Sequence, residues 1–170
     1  MDKRAMADQA VAQFGNLLTV EGLRLGAEDN SCVLVFDGDL LLNIEFDEAS
    51  ERLVFSIYLD ELPRDNAAPL LRELLGANLY WHRTRGATLC LEENTDGLLL
   101  VHASSVLELD NGAFETLVEN LLDQAEYWRR RVTEHVQSGP AGGIGAGTAA
   151  ENGPVGLLGG PSAMNHMIFG

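Results

Sequence analysis

Residues able to do chemistry are thinly spread along this chain. It has four histidines, His82, His102, His135 and His166. No two share a helix face at metal-ligand spacing, and none is near a cysteine in sequence. His102 falls in an apolar strand-like run and reads as a satisfied sheet residue. His82 follows a helix C-terminus, where positive charge is favoured. The two cysteines, Cys32 and Cys90, sit in apolar runs and read as buried free thiols of a reducing compartment. Acidic pairs occur at Asp47-Glu48, Asp60-Glu61 and Glu92-Glu93. Paired carboxylates act as acid and base only where burial splits their pKa values. These three pairs lie at strand ends or turns, where solvated charge is expected. There is no serine elbow, P-loop, CxxC or HExxH motif. The run Gly143-Ile144-Gly145-Ala146-Gly147 could cradle a phosphate only between a strand and a helix, and neither flank reads as either. The chain therefore reads as a binding protein and not an enzyme, with no metal and no cofactor.

Composition narrows the partners. The formal net charge is −15, and only 11 residues are basic. Nucleic acid needs clustered Lys and Arg to release counterions, so it is excluded as a partner. Anionic membrane surfaces are disfavoured by the same sign. One basic cluster, Arg129, Arg130 and Arg131, is read as interacting with the C-terminus of its helix. Hydrophobic residues make up 46 % of the chain, which excludes wholesale disorder. No apolar run approaches the roughly 20 residues of a membrane helix, so no membrane insertion is expected. The first ten residues lack an apolar core, so no signal peptide is expected.

The elements that must position any site follow from periodicity. Asp2 to Leu18 carries a helical apolar stripe through Met6, Val11, Phe14 and Leu17. Three strand-like runs follow: Ser31 to Phe36, Asp39 to Phe46 and Arg52 to Leu59. Asp37-Gly38 marks a tight hairpin between the first two. Pro63 breaks the chain, and Asp65 or Asn66 is expected to cap a leucine-rich second helix. Two more strands, Ala87 to Glu92 and Leu98 to Ala103, flank an Asp96-Gly97 turn. Asp110 caps the last and most amphipathic helix, about six turns long. The fold class is α+β in the order α-βββ-α-ββ-α. Short links imply a twisted antiparallel sheet with helices mainly on one face. Residues 1–137 form this domain. Residues 138–170, rich in Gly and Pro with the single charge Glu151, read as a disordered tail. Its stretch Met164 to Phe169 is modestly apolar.

The first two strands are apolar on both faces. With helices on one side only, that arrangement leaves an exposed apolar surface, which usually marks a binding site. The strand residues expected to bind a partner are Val33, Val35, Leu40, Leu42, Ile44 and Phe46.

A further likeness rests on one ordered set of segments. The helix Leu70-Leu71-Arg72-Glu73-Leu74-Leu75-Gly76-Ala77-Asn78-Leu79 leads through a short link to Ala87-Thr88-Leu89-Cys90-Leu91. Gly97-Leu98-Leu99-Leu100, Leu107-Glu108-Leu109-Asp110 and a long helix closing in Ala125-Glu126-Tyr127-Trp128 follow. Over roughly Asp2 to Val136 this resembles the CesT/Tir chaperone family, the class I effector chaperones of bacterial type III secretion. The resemblance implies a cytoplasmic bacterial homodimer, without ATP or cofactor. Its dimer contact falls on Leu71, Leu74, Leu75, Asn78, Leu79 and Leu89, and its client-binding patches add Phe14, Leu17 and Leu18 of the first helix to the strand residues. Its partner is the extended N-terminal segment of a secreted effector, held soluble and secretion-competent by strand addition and apolar anchoring. The secretion ATPase is a further implied partner. The competing readings are a protein of the same fold that sequesters a regulator of secretion or transcription, a small enzyme using Glu92, Glu93 and Asp96, and a structural subunit of a constitutive complex.

Overall fold

The computed structural model describes residues 2–36 and 39–138. The Asp37-Gly38 hairpin tip, the glycine run 143–147, His166 and the rest of 139–170 lie outside the described residues. Three helices, α1 (Lys3–Leu17), α2 (Ala67–Ala77) and α3 (Asn111–Ser138), and five strands follow the expected order. The strands are β1 (Ser31–Phe36), β2 (Leu40–Asp47), β3 (Arg52–Glu61), β4 (Thr88–Glu92) and β5 (Gly97–Ser105). They form one antiparallel sheet in the order β1-β2-β3-β5-β4, so β1 and β4 are its edges.

Alternation decides which residues face the helices, because successive strand side chains point to opposite faces. On β2, Leu40, Leu42, Ile44 and Phe46 are buried. On β3 the buried set is Leu53, Phe55, Ile57 and Leu59, and on β5 it includes Leu98 and Leu100. Against them α1 packs Ala7, Val11 and Phe14, while α3 packs Phe114, Val118, Leu121, Ala125, Trp128 and Val132. Both helices and the sheet meet at one aromatic junction. Phe14 of α1 stacks on Phe114 of α3 with ring centroids 4.6 Å apart, and Phe55 of β3 meets Phe114 edge-on at 5.4 Å. Such pairs add to the ~1.5–3 kcal/mol that each large apolar side chain gains by burial.

The helix ends differ in how they are capped. Asp110 caps α3 as expected, its carboxylate accepting from the Ala113 N–H at 2.8 Å. Asn66 occupies the N-cap of α2 in a left-handed conformation (φ 58°) and makes no side-chain cap. Its carbonyl instead accepts a 2.9 Å hydrogen bond from His135 Nε2, tying the start of α2 to the last turns of α3. The Arg129–Arg131 cluster does not reach the C-terminus of its helix, because α3 runs on to Ser138. Its members point sideways: Arg129 to Asp39, Arg130 over the Tyr127 ring, and Arg131 to Glu73 and Glu134.

Glu73 clamps α2 to α3. It accepts from Arg131 Nη2 at 3.0 and 3.1 Å and from Arg83 Nη2 at 3.3 Å. The Arg131 hydrogen bonds, with the charges of Arg131 and Arg83, hold the Glu73 carboxyl below the usual range, against the opposing effect of partial burial. A lowered folded pKa means that the stabilisation is complete above the ordinary Glu value of about 4.3 and is lost as pH falls through the folded value. Urea midpoints measured between pH 3 and 7 are expected to fall below about pH 4.3, and Glu73→Gln is expected to flatten that part of the curve. A second test uses the face assignment. Val35→Asp is expected to shift stability by about 0.5 kcal/mol or less, whereas Leu42→Asp, which buries a carboxylate, is expected to cost more than about 4 kcal/mol or prevent folding. Urea titration of both variants checks this.

Candidate functional site

The face of the sheet away from the helices is uncovered. Val33, Val35, Leu41 and Tyr58 are exposed there, Val35 to 61 %. Register makes them neighbours: Val35 pairs with Leu41, and Leu41 and Tyr58 flank the Leu42–Ile57 pair. Tyr58 pairs with Leu99 on β5. The patch therefore runs from the β1 edge into the middle of the sheet. Toward the other end this face turns small and polar through Asn43, Glu45 and Ser56.

The nine residues expected to bind a partner are divided by this geometry. Val33 and Val35 lie on the open face. Leu40, Leu42, Ile44 and Phe46 have the opposite parity and lie in the core, with Phe14 in the aromatic junction. They support the open face from below and present no surface of their own. Leu17 and Leu18 are exposed at the end of α1, on the helical side. Leu41 and Tyr58 complete the open patch. Both alternate with buried strand residues, and that parity was the signal that could have singled them out.

The two edges differ. On its outer side β1 pairs with no other strand among the described residues. At β4 the outer side is met by Asn78, just past α2. Asn78 Nδ2 donates to the Leu89 carbonyl at 3.0 Å, and the Leu89 N–H donates to Asn78 Oδ1 at 2.9 Å. One amide thus replaces a strand partner and limits pairing at that edge. Trp81 Nε1 adds a 3.2 Å hydrogen bond to Thr88 Oγ1.

Beside β4 lies a second apolar surface. Of the residues expected at a dimer contact, Leu75 (69 % exposed) and Leu79 face outward, Leu71 is half-buried, and Leu74 and Leu89 are buried. Tyr80 (73 % exposed) and Trp81 extend it, both at positive φ (56° and 55°). Adjacent aromatics immediately after a leucine-rich helix were the available signal for them. Non-glycine residues at such φ are uncommon and carry a backbone cost of roughly 1–3 kcal/mol.

Several of the groups considered for chemistry have structural partners. Asp47 accepts from Ser50 and Ala49, and Glu92 from Thr95 and Asn94. These turn bonds, the serine and threonine hydroxyls foremost, hold both carboxyls below the usual range. Burial, reinforced by Asp8 and Asp29, pushes the Cys32 thiol up to about 11. Burial also raises Cys90. Neither thiol is therefore activated as a nucleophile. His102 Nδ1 donates to the Gly86 carbonyl at 3.0 Å. Among the described residues no cluster of three or more His, Cys, Asp or Glu is placed to hold a metal ion. Nor is any described helix long and apolar enough to cross a membrane.

Comparison with known proteins places this arrangement. No curated protein is similar enough in sequence to match. Among solved structures, the chain is similar to a chain of the ExsC–ExsE complex, with 25 % identity and a TM-score of 0.68, covering 78 % of this chain and 97 % of that one. It shares its fold with a chain of the HopA1–SchA chaperone–effector complex (20 % identity, TM-score 0.64, 76 % and 98 % covered). The same holds for the ExoU–SpcU complex of the type III secretion system of Pseudomonas aeruginosa (20 % identity, TM-score 0.54, 75 % and 94 % covered). The sequence model of the Tir chaperone protein (CesT) family matches residues 9–129, most of the described domain. The chain belongs to the Tir chaperone protein (CesT) family.

Proposed function

We propose that this protein is a type III secretion chaperone that holds an extended N-terminal segment of a secreted effector in the bacterial cytoplasm. The observation that carries the reading is the pairing of an open apolar face, Val33, Val35, Leu41 and Tyr58, with the β1 edge beside it. An extended chain added along β1 would gain backbone hydrogen bonds from the edge and place alternate side chains over that face. Membership of the CesT family and the likeness to a chaperone–effector complex support the same reading. The high negative charge favours clients with a basic segment.

The surface at Leu75 and Leu79 supports a homodimer, with Leu71 at its border. In this reading Leu74, Asn78 and Leu89 hold the surface in shape from beneath, and the secretion ATPase receives the loaded complex.

Two measurements test this. Affinity capture from the native cell should recover a secretion-bound protein through its N-terminal segment. Titration calorimetry with that segment should then show Val35→Asp and Leu41→Asp each weakening binding about 10–100-fold, the value of one apolar anchor. Undiminished binding would remove the open face from the account. Sedimentation should give the mass of two copies for the wild type and of one for Leu75→Asp/Leu79→Asp. A wild-type monomer would remove the dimer.

A further inference from the structure

Among the described residues only two polar side chains are buried, Thr84 and Gln124, and both belong to one place. It is the cleft between the coil after α2 and the middle of α3. The cleft has a volume of ≈ 270 Å³ and is lined by His82, Arg83, Arg85, Gln124 and Tyr127. That is below the roughly 300 Å³ at which pockets for drug-sized ligands and cofactors begin, and it suits a single side chain.

The coil is built to hold these groups outward. Thr84 is fully buried, and its N–H and hydroxyl both donate to the Trp81 carbonyl, at 3.3 and 3.4 Å. The Gly86 N–H donates to the same carbonyl at 3.2 Å. Arg85 takes a positive φ of 50°, and Gly86 follows at 91°, a conformation that favours glycine. With Thr84 anchored inside, the flanking Arg83 and Arg85 stand at the surface.

Two buried polar atoms in the described residues lack any hydrogen-bond partner, and they sit one turn apart on α3: Gln124 Oε1 and Trp128 Nε1. An unpaired buried polar group costs about 1–3 kcal/mol, so its retention calls for an explanation. Gln124, only 9 % exposed, lines the cleft. The enclosed atom is Oε1, so the amide NH₂, a donor, is the end left facing the cleft. The other lining groups are donors too: two guanidiniums, an imidazole and a phenol. Arg83 lies over the Trp128 ring, 5.3 Å from its centroid, and already donates to Glu73 at 3.3 Å. Arg85 already engages a carboxylate, Asp123, at 3.3 Å, and Asn120 at 3.1 Å. Arg85 and Asp123 are both largely exposed, so that pair is weak and a second carboxylate can share or replace it at little cost.

We propose that this cleft binds an oxyanion, the carboxylate of an acidic side chain on a partner polypeptide. The exposed Tyr80 and Trp81 next to it offer the apolar contact that a peptide, unlike a free ion, would use. The site is on the helical side, away from the open sheet face, and does not depend on the effector reading.

The test is an NMR titration of the ¹⁵N-labelled full chain with three probes. They are a blocked pentapeptide with two central glutamates beside a leucine, the same peptide with glutamines, and inorganic phosphate. The glutamate peptide is expected to move the Gln124 amide and Trp128 indole N–H resonances saturably. Binding is expected to weaken at least about tenfold in Arg85→Ala, whose side chain is exposed, and in Gln124→Leu, each checked for an unchanged fold. Equal binding of the glutamine peptide would overturn the anion assignment. Saturation by phosphate without binding of the glutamate peptide would overturn the polypeptide source. Failure of all three to move these resonances would overturn the site.

Discussion

Everything in this molecule depends on helices covering only one face of a five-stranded sheet. The aromatic junction of Phe14, Phe114 and Phe55 locks α1 and α3 against that face. Strand alternation then has a fixed consequence. Most apolar residues of one parity are core, and those of the other parity face outward. An ordinary antiparallel sheet of this kind would put polar residues outside. Here Val33, Val35, Leu41 and Tyr58 stand outside instead. Their exposure has no role in folding, since Leu42, Ile44, Phe55 and Ile57 already fill the core.

The edges carry the second constraint. A sheet with two open edges invites association through either. Asn78 occupies β4 at Leu89 with both ends of its amide, so one edge is restricted by the chain itself. The other edge, β1, is adjacent to the apolar patch. A partner chain that pairs there gains both the backbone hydrogen bonds and the side-chain contacts. The charge of −15 has a different effect, since it disfavours contact between like copies except where an apolar surface such as Leu75 and Leu79 offsets the repulsion.

Much of the fold was legible in the sequence. Local signals decided β1 at Ser31–Phe36, the Asp110 cap and the long stripe of α3, and the structure keeps all three. The site was legible only in part. Alternation separates Leu40, Leu42, Ile44 and Phe46 from Leu41, but which parity is buried depends on where the helices pack, and that is a long-range fact. Phe14 belongs to the core for the same reason. Asn66 satisfies the rule for an N-cap by residue type, yet it takes a left-handed conformation, its side chain makes no cap, and its carbonyl accepts from His135, 69 residues away. Arg131 meets Glu73 across 58 residues, which no helix-end rule anticipates. The unpartnered Gln124 and Trp128 had no sequence signal at all, since both simply continue an amphipathic helix.

The central claim is that an extended client lies along β1 and over the open face of β1, β2 and β3. Amide hydrogen exchange on the chaperone, alone and with its client segment, tests it most directly. The account predicts new protection of about tenfold or more at the outward-facing amides of Val33 to Phe36, with smaller changes in the buried strands. A client that binds tightly while the exchange of β1 stays unchanged would contradict it.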